Sequence, residues 1–175
     1  MGVASWLAAI DGAAIVTPSK TSRGGMIMSA QPLVIEGYAS LFGVEDLAGD
    51  VVRAGAFARS LATGRGVSML LNHTGRGVAG RWTRMTEDGR GLFVRGFVTG
   101  ETLAGSAALE QIRTGRLGGL SIGFIARDWS PRVGRGRELR EIDLREVSLV
   151  AAPMLESARF MVVGGNAALL SRRVA

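Results

Sequence analysis

Between Glu138 and Val150 the chain alternates with period two, and this run constrains the fold more than any other. Ile142, Leu144, Glu146, Ser148 and Val150 share one face of a strand, while Glu141, Asp143 and Arg145 fall on the other. The first face is apolar, so the chain must build a sheet with a buried side. Glu146 is the one carboxylate on that face, and Ser148 beside it is a second polar intruder. A charge in such a place is costly unless it is paired and hydrogen-bonded. Glu146 therefore marks either a functional site or a buried ion pair with an arginine.

A second polar residue interrupts another apolar run, Gly119-Leu120-Ser121-Ile122-Gly123-Phe124. The Ser121 hydroxyl needs a hydrogen-bond partner, and the flanking glycines let another backbone approach it closely. Gly-x-Ser-x-Gly matches the nucleophile elbow of α/β-hydrolases, but in that fold a helix follows the serine and the histidine comes last. Here the only histidine, His73, precedes Ser121, and Ile122 to Trp129 continues as strand. The order His73, Ser121, Glu146 instead calls for a β-rich fold that brings three strand ends together.

The remaining segments fit that class. Leu33 to Phe42 is a strand candidate, followed by a carboxylate-rich turn at Asp46 to Val52, with Asp46 and Asp50 as turn-formers, and a short helix around Ala56 to Leu61. Val67 to His73 is a short buried strand whose end, and the histidine with it, is exposed by a glycine-rich loop. Val78 to Thr86 and Gly91 to Val98 flank Asp88-Gly89, a hairpin signal. Thr99 to Arg116 carries an apolar stripe of Ala104, Ala108, Leu109 and Ile112, with Thr99 as cap, and is expected to be a helix closed by Gly115. Arginines 132, 135, 137 and 140 crowd a glycine-rich turn, read as a solvated tip in preference to a scaffold or nucleic-acid contact.

Composition removes several chemistries. The chain has 175 residues, no cysteine and one histidine, which excludes disulfides, thiolate sites and a cysteine nucleophile and disfavours a zinc site. No metal or other cofactor is expected. Net charge is +6, but the arginines are spread along the chain, so no nucleic-acid partner is expected. No stretch approaches the ~20 apolar residues of a membrane span, and Met1 to Val16 lacks the basic start of a signal peptide, which leaves the cytoplasm as the expected compartment. Residues 1–30 read as a flexible appendage joined through Thr17 to Gly25, with Met28 as an alternative start. Residues 31–163 form the domain, and residues 164–175 are a tail.

The sequence resembles the prohead (capsid maturation) serine proteases of tailed bacteriophages, relatives of the herpesvirus assemblins. The resemblance runs from about Ile35 to Phe160. It is carried by G-Y-A-S-L-F-G at 37–43, D-L-A-G-D-V-V-R-A-G-A-F at 46–57, L-L-N-H at 70–73, G-L-F-V-R-G at 91–96, I-R-T-G-R-L-G-G-L-S-I-G-F at 112–124 and R-E-V-S-L-V at 145–150. Thr74 stands where the family often has Asp, and Val78 where it often has Pro. The resemblance implies an α+β, β-rich fold, an assemblin-like closed β-barrel with a few surface helices. It implies His73 as general base, Ser121 as nucleophile and Glu146 as the third, acidic member. Should substitution of Glu146 leave the rate unchanged, Asp50 and Glu141 are the first alternatives to test for that role. It implies cleavage of scaffold or capsid-protein delta segments inside the assembling prohead, with self-cleavage, so that the partners are the major capsid protein or a scaffold protein. Self-association of the chain is left open. Proteins of this type serve phages, prophages and phage-derived gene transfer agents. The rival function is a catalytically inactive scaffold-binding assembly protein.

Overall fold

The period-two segments pair into one eight-stranded sheet in the computed structural model of the protein, which describes residues 31–75 and 77–164. In chain order the elements are β1 (Leu33–Leu41), β2 (Val51–Val52), α1 (Ala58–Ala62), β3 (Ser68–Leu71), β4 (Gly80–Glu87), β5 (Gly91–Val98), α2 (Leu103–Arg113), β6 (Gly119–Pro131), β7 (Arg137–Val150) and β8 (Phe160–Gly164). The sheet order is β2-β7-β3-β4-β5-β1-β8, with β6 antiparallel along the other edge of β7. The expected appendage and the tail beyond Gly164 lie outside the described residues, and Gly164, placed in the tail by the sequence, ends β8 opposite Val34.

β7 is the strand on which the rest is organised. One of its edges pairs with β6 over nearly its whole length, and the other is shared by β2 at Glu138 and Leu139 and by β3 from Glu146 to Leu149, both parallel. Between those two short strands the backbone groups of β7 find other partners. Ile142 N–H donates to Ala56 O at 3.0 Å and Leu144 N–H to Ser60 Oγ at 2.9 Å. The segment around α1 thus completes the ladder, as buried backbone requires. Leu139, Ile142, Leu144, Val147 and Leu149 of β7 are all essentially buried, against Phe57, Met69 and Leu120 among others. The β6–β7 register shifts at Arg145, an extra residue between Leu144 and Glu146. Val147 and Leu149 therefore continue the core face, and Glu146 and Ser148 lie on the opposite face, not with Ile142 and Leu144 as the alternation implies.

The sheet is not closed into a barrel, which corrects the expectation drawn from the resemblance. Closure would need β8 to form a ladder with β6, and the two sides meet only through the Gly119–Arg159 bridge and its flanking backbone bonds, Leu120 N–H to Ala158 O and Phe160 N–H to Gly118 O. β8 begins at Phe160 and is committed to β1, where Gly37 makes room for the Arg159 carbonyl that a Cβ would strike. Past Leu120, β6 follows β7 alone.

Both helices start later than the sequence expectation. α2 begins at Leu103 because Thr102, not Thr99, is the N-cap, its Oγ1 accepting from Gly105 N–H at 2.9 Å. Thr99 N–H donates instead to Ala79 O. α1 starts two residues late because the turn before it is pinned by Glu87, whose carboxylate accepts from the Gly55 and Phe57 amides. The Asp88-Gly89 hairpin is present, with Asp88 Oδ1 accepting from Arg90 and Gly91 N–H.

Candidate active site

His73 sits just past the end of β3, as the sequence implies, in a backbone conformation the sequence does not reveal. Asn72 and His73 are the two non-glycine residues with left-handed φ among the described residues, at 50° and 58°. Asn72 N–H continues the parallel ladder onto Leu149 O at 3.0 Å, and the chain then reverses so that the imidazole lies against β7. His73 Nδ1 is 2.6 Å from Glu146 Oε1. A carboxylate accepts only, so this bond assigns the proton to Nδ1 and leaves the Nε2 lone pair as the basic site. The histidine side chain is 45% exposed and the glutamate 13%, so the pair straddles the surface with its base outward.

Glu146 thus has a histidine, not an arginine, as its ion-pair partner, which removes the alternative of a buried arginine pair. Its second oxygen accepts from Ser148 Oγ at 2.6 Å, and Ser148 Oγ accepts from His73 N–H at 3.2 Å. The other two carboxylates weighed for the third role lie elsewhere: Glu141 pairs with Arg59 and Asp50 with Arg137.

Register brings Ser121 to the same cluster. β6 and β7 pair Ser121 with Ser148 and Gly123 with Glu146, and cross-strand partners point their side chains to one face. Ser121 is 5% exposed. Among the described residues no hydrogen bond joins its hydroxyl to His73, and catalytic hydrogen bonds often tighten only when substrate is bound. The second glycine of G-L-S-I-G has a definite steric role. A Cβ on Gly123 would strike Glu146 Oε1, the oxygen that binds His73. The motif gives a glycine at that position but not the carboxylate it accommodates.

A cavity of about 190 Å³ opens beside Ser121, walled by Val44, Ile122, Phe124, Met154 and Leu155, with Asp46, Asp50 and Arg137 also on its lining. Its loop wall is held by charge. Asp46 is a turn-former as expected, its Oδ1 accepting from the Ala48 and Asp50 amides. Asp50 is not. It is nearly buried and takes both the backbone N–H of Arg137 at 2.7 Å and its guanidinium at 2.5 Å. The Arg137 hydrogen bonds hold the Asp50 carboxyl below the usual range, against the opposing effect of burial. Arg132 and Arg135 both bind Glu45, and Arg140 binds Asp128. The arginine-rich turn is therefore an ion-paired clasp on the 44–50 loop, neither a free tip nor merely solvated. No sequence signal marks the pairings of Arg132, Arg135 and Arg137, which join residues 87 to 90 positions apart.

The chain is similar to known proteins in sequence and in fold. The family described as "Caudovirus prohead serine protease" matches residues 21–169. A protein named prohead protease, from Enterobacteria phage HK97, is 36% identical over 129 residues, covering 71% of this chain and 57% of its own length. The chain thus spans little more than half of that relative. In fold it is similar to the KSHV protease, whose crystal structure contains a hexapeptide phosphonate inhibitor, with a TM-score of 0.53 and 15% identity over 81% of this chain and 69% of the other.

Proposed function

This chain belongs to the caudovirus prohead serine protease family, and from that we propose that it is a serine endopeptidase of capsid maturation. It cleaves scaffold or capsid-protein delta segments inside the assembling prohead, and cleaves itself, with Ser121, His73 and Glu146 as its catalytic residues. The observation that carries the assignment of roles is the 2.6 Å contact of His73 Nδ1 with Glu146, on the strand face that β6 supplies with Ser121.

The chemistry follows from these groups. Ser121 Oγ attacks the scissile carbonyl carbon as its proton passes to His73 Nε2. Glu146 keeps the imidazole oriented and stabilises the imidazolium through the Nδ1–H bond. Collapse of the tetrahedral intermediate breaks the C–N bond, and the leaving amine takes the proton from Nε2. Water, deprotonated by the same nitrogen, then attacks the acyl carbon, and the C–Oγ bond breaks as Ser121 Oγ takes the proton back from Nε2. The unpaired edge of β6 supports an extended polypeptide as substrate. Leu120 N–H points away from β7 to Ala158 O, and alternate residues of a strand point the same way. Ile122 therefore turns its N–H and C=O to the open edge, one residue from Ser121, where a substrate strand can pair. The clasped arginines of the 132–140 turn support a protein partner over nucleic acid.

A serine-directed fluorophosphonate tests this function. The wild type should form an adduct that peptide mapping places on Ser121, and Ser121→Ala and His73→Ala should form none. A folded wild type that takes no label under any condition would leave the scaffold-binding assembly protein as the function instead.

A further inference from the structure

Ser148 has no exposed surface, yet its hydroxyl is used in both senses. It donates to Glu146 Oε2 at 2.6 Å and accepts the His73 backbone N–H at 3.2 Å. A hydroxyl has one proton to give, so donation goes to the carboxylate and a lone pair takes the amide. Glu146 Oε1 in turn takes the imidazole at 2.6 Å. The result is a closed ring of hydrogen bonds, in which two residues of β7 two positions apart grip His73 by its side chain and by its main chain.

Both ends of the grip hold something that would otherwise move. Asn72 and His73 are in the left-handed region that residues with a Cβ seldom adopt. Asn72 N–H and Thr74 N–H are held by backbone carbonyls, those of Leu149 and Leu71. The amide between them, that of His73, is held by Ser148 Oγ. Glu146 has three side-chain torsions, and a carboxylate bonded through one oxygen can swing about that contact. The Ser148 bond to the second oxygen fixes its plane.

We infer that Ser148 is a positioning residue for His73, acting through the Glu146 carboxylate and the His73 amide rather than on substrate. Its cross-strand neighbour is Ser121, but its proton is already given to Glu146 in this arrangement. The consequence for reaction rate rests on the proteolytic function above; the hold on His73 does not.

His73 is the only histidine in the chain, so the imidazole proton signals of the full-length protein come from one residue. The wild type should show a low-field Nδ1–H resonance from the bond to Glu146. Ser148→Ala should displace that resonance or broaden it away, and an unchanged resonance would overturn the inference. Ser148→Cys keeps the volume with a weaker donor and covers the case in which the alanine variant does not fold. A displaced signal in the folded cysteine variant supports the inference, and a wild-type signal overturns it. Fluorophosphonate labelling of Ser121 in Ser148→Ala should have a maximal rate lower by roughly 10- to 100-fold, the cost found when a group that orients a metal-ligating histidine or carboxylate is lost. The half-saturating concentration should be unchanged, and a wild-type rate would overturn the inference. If the wild type takes no label while Ser148 substitution still displaces the resonance, the proteolytic function is wrong and the positioning of His73 by Ser148 stands.

Discussion

At the scale of single residues, Glu146 does the most with the least. One carboxylate of β7 binds the imidazole, accepts from a buried serine and occupies space that Gly123 leaves open. Glu146→Gln keeps the shape but presents the imidazole with an uncharged amide, so the imidazolium loses its counter-charge. The expected result is a fall in kcat on the order of 10²–10⁴-fold, smaller than the loss from Ser121→Ala, measured on a peptide or protein substrate. A wild-type rate would pass the third role to another group. Glu146 stood out in the sequence as a charge among apolar alternates, although the shift at Arg145 puts it on the face opposite Val147 and Leu149, which no alternation pattern reveals. Ser148 was visible as a second anomaly without a role, since nothing in the sequence says that the amide of a residue 75 positions earlier lands on its hydroxyl. The left-handed pair Asn72–His73 left no trace, because neither residue is a glycine.

At the scale of elements, strands were legible where alternation was clean, as in β5, and β7 was legible as a strand although its register shifts broke the alternation. Element ends were not. Thr99 and Thr102 are equally good caps by residue type, and the choice was made by Ala79, whose carbonyl takes the Thr99 amide from another part of the chain. The clasp between the 44–50 loop and the turn before β7 is the element-scale feature with a measurable consequence. The folded-state pKa of Asp50 is depressed, chiefly by hydrogen bonds from Arg137. Its contribution to stability is therefore fully present above the unfolded carboxyl value of about 3.9 and is lost as pH falls through the lower folded value. Asp50→Asn should lower stability by about 1–3 kcal/mol at neutral pH. The difference from wild type in thermal unfolding should shrink as pH drops below the ordinary carboxylate range. A difference that is constant with pH would mean that the pair contributes through packing alone.

For the whole molecule, local patterning established a β-rich chain, but the resemblance misled on closure. Whether a sheet closes depends on which strands meet at its last seam, and that seam here is one bridge, Gly119 to Arg159, with β8 held by β1. The open edge of β6 that results lies beside Ser121, where a substrate strand is proposed to bind. The same proposal covers the chain's own ends. If the protein cleaves itself, the cuts are proposed to lie within residues 1–30 and 164–175, which the sequence reads as an appendage and a tail. Intact-mass measurement of purified wild type should show trimming within one or both, and Ser121→Ala should stay full length. A wild type that remains untrimmed over days while cleaving substrate in trans would remove self-processing from the account.

The most direct test of the catalytic assignment is processing of a co-expressed capsid or scaffold substrate by wild type, Ser121→Ala and His73→Ala, each confirmed folded by its thermal unfolding transition. The wild type should shorten the substrate, and both variants should leave it intact. The double variant should be little worse than either single one, because groups that act as a unit are not additive. Substrate cut at the wild-type rate by folded Ser121→Ala, or by folded His73→Ala, would contradict the account.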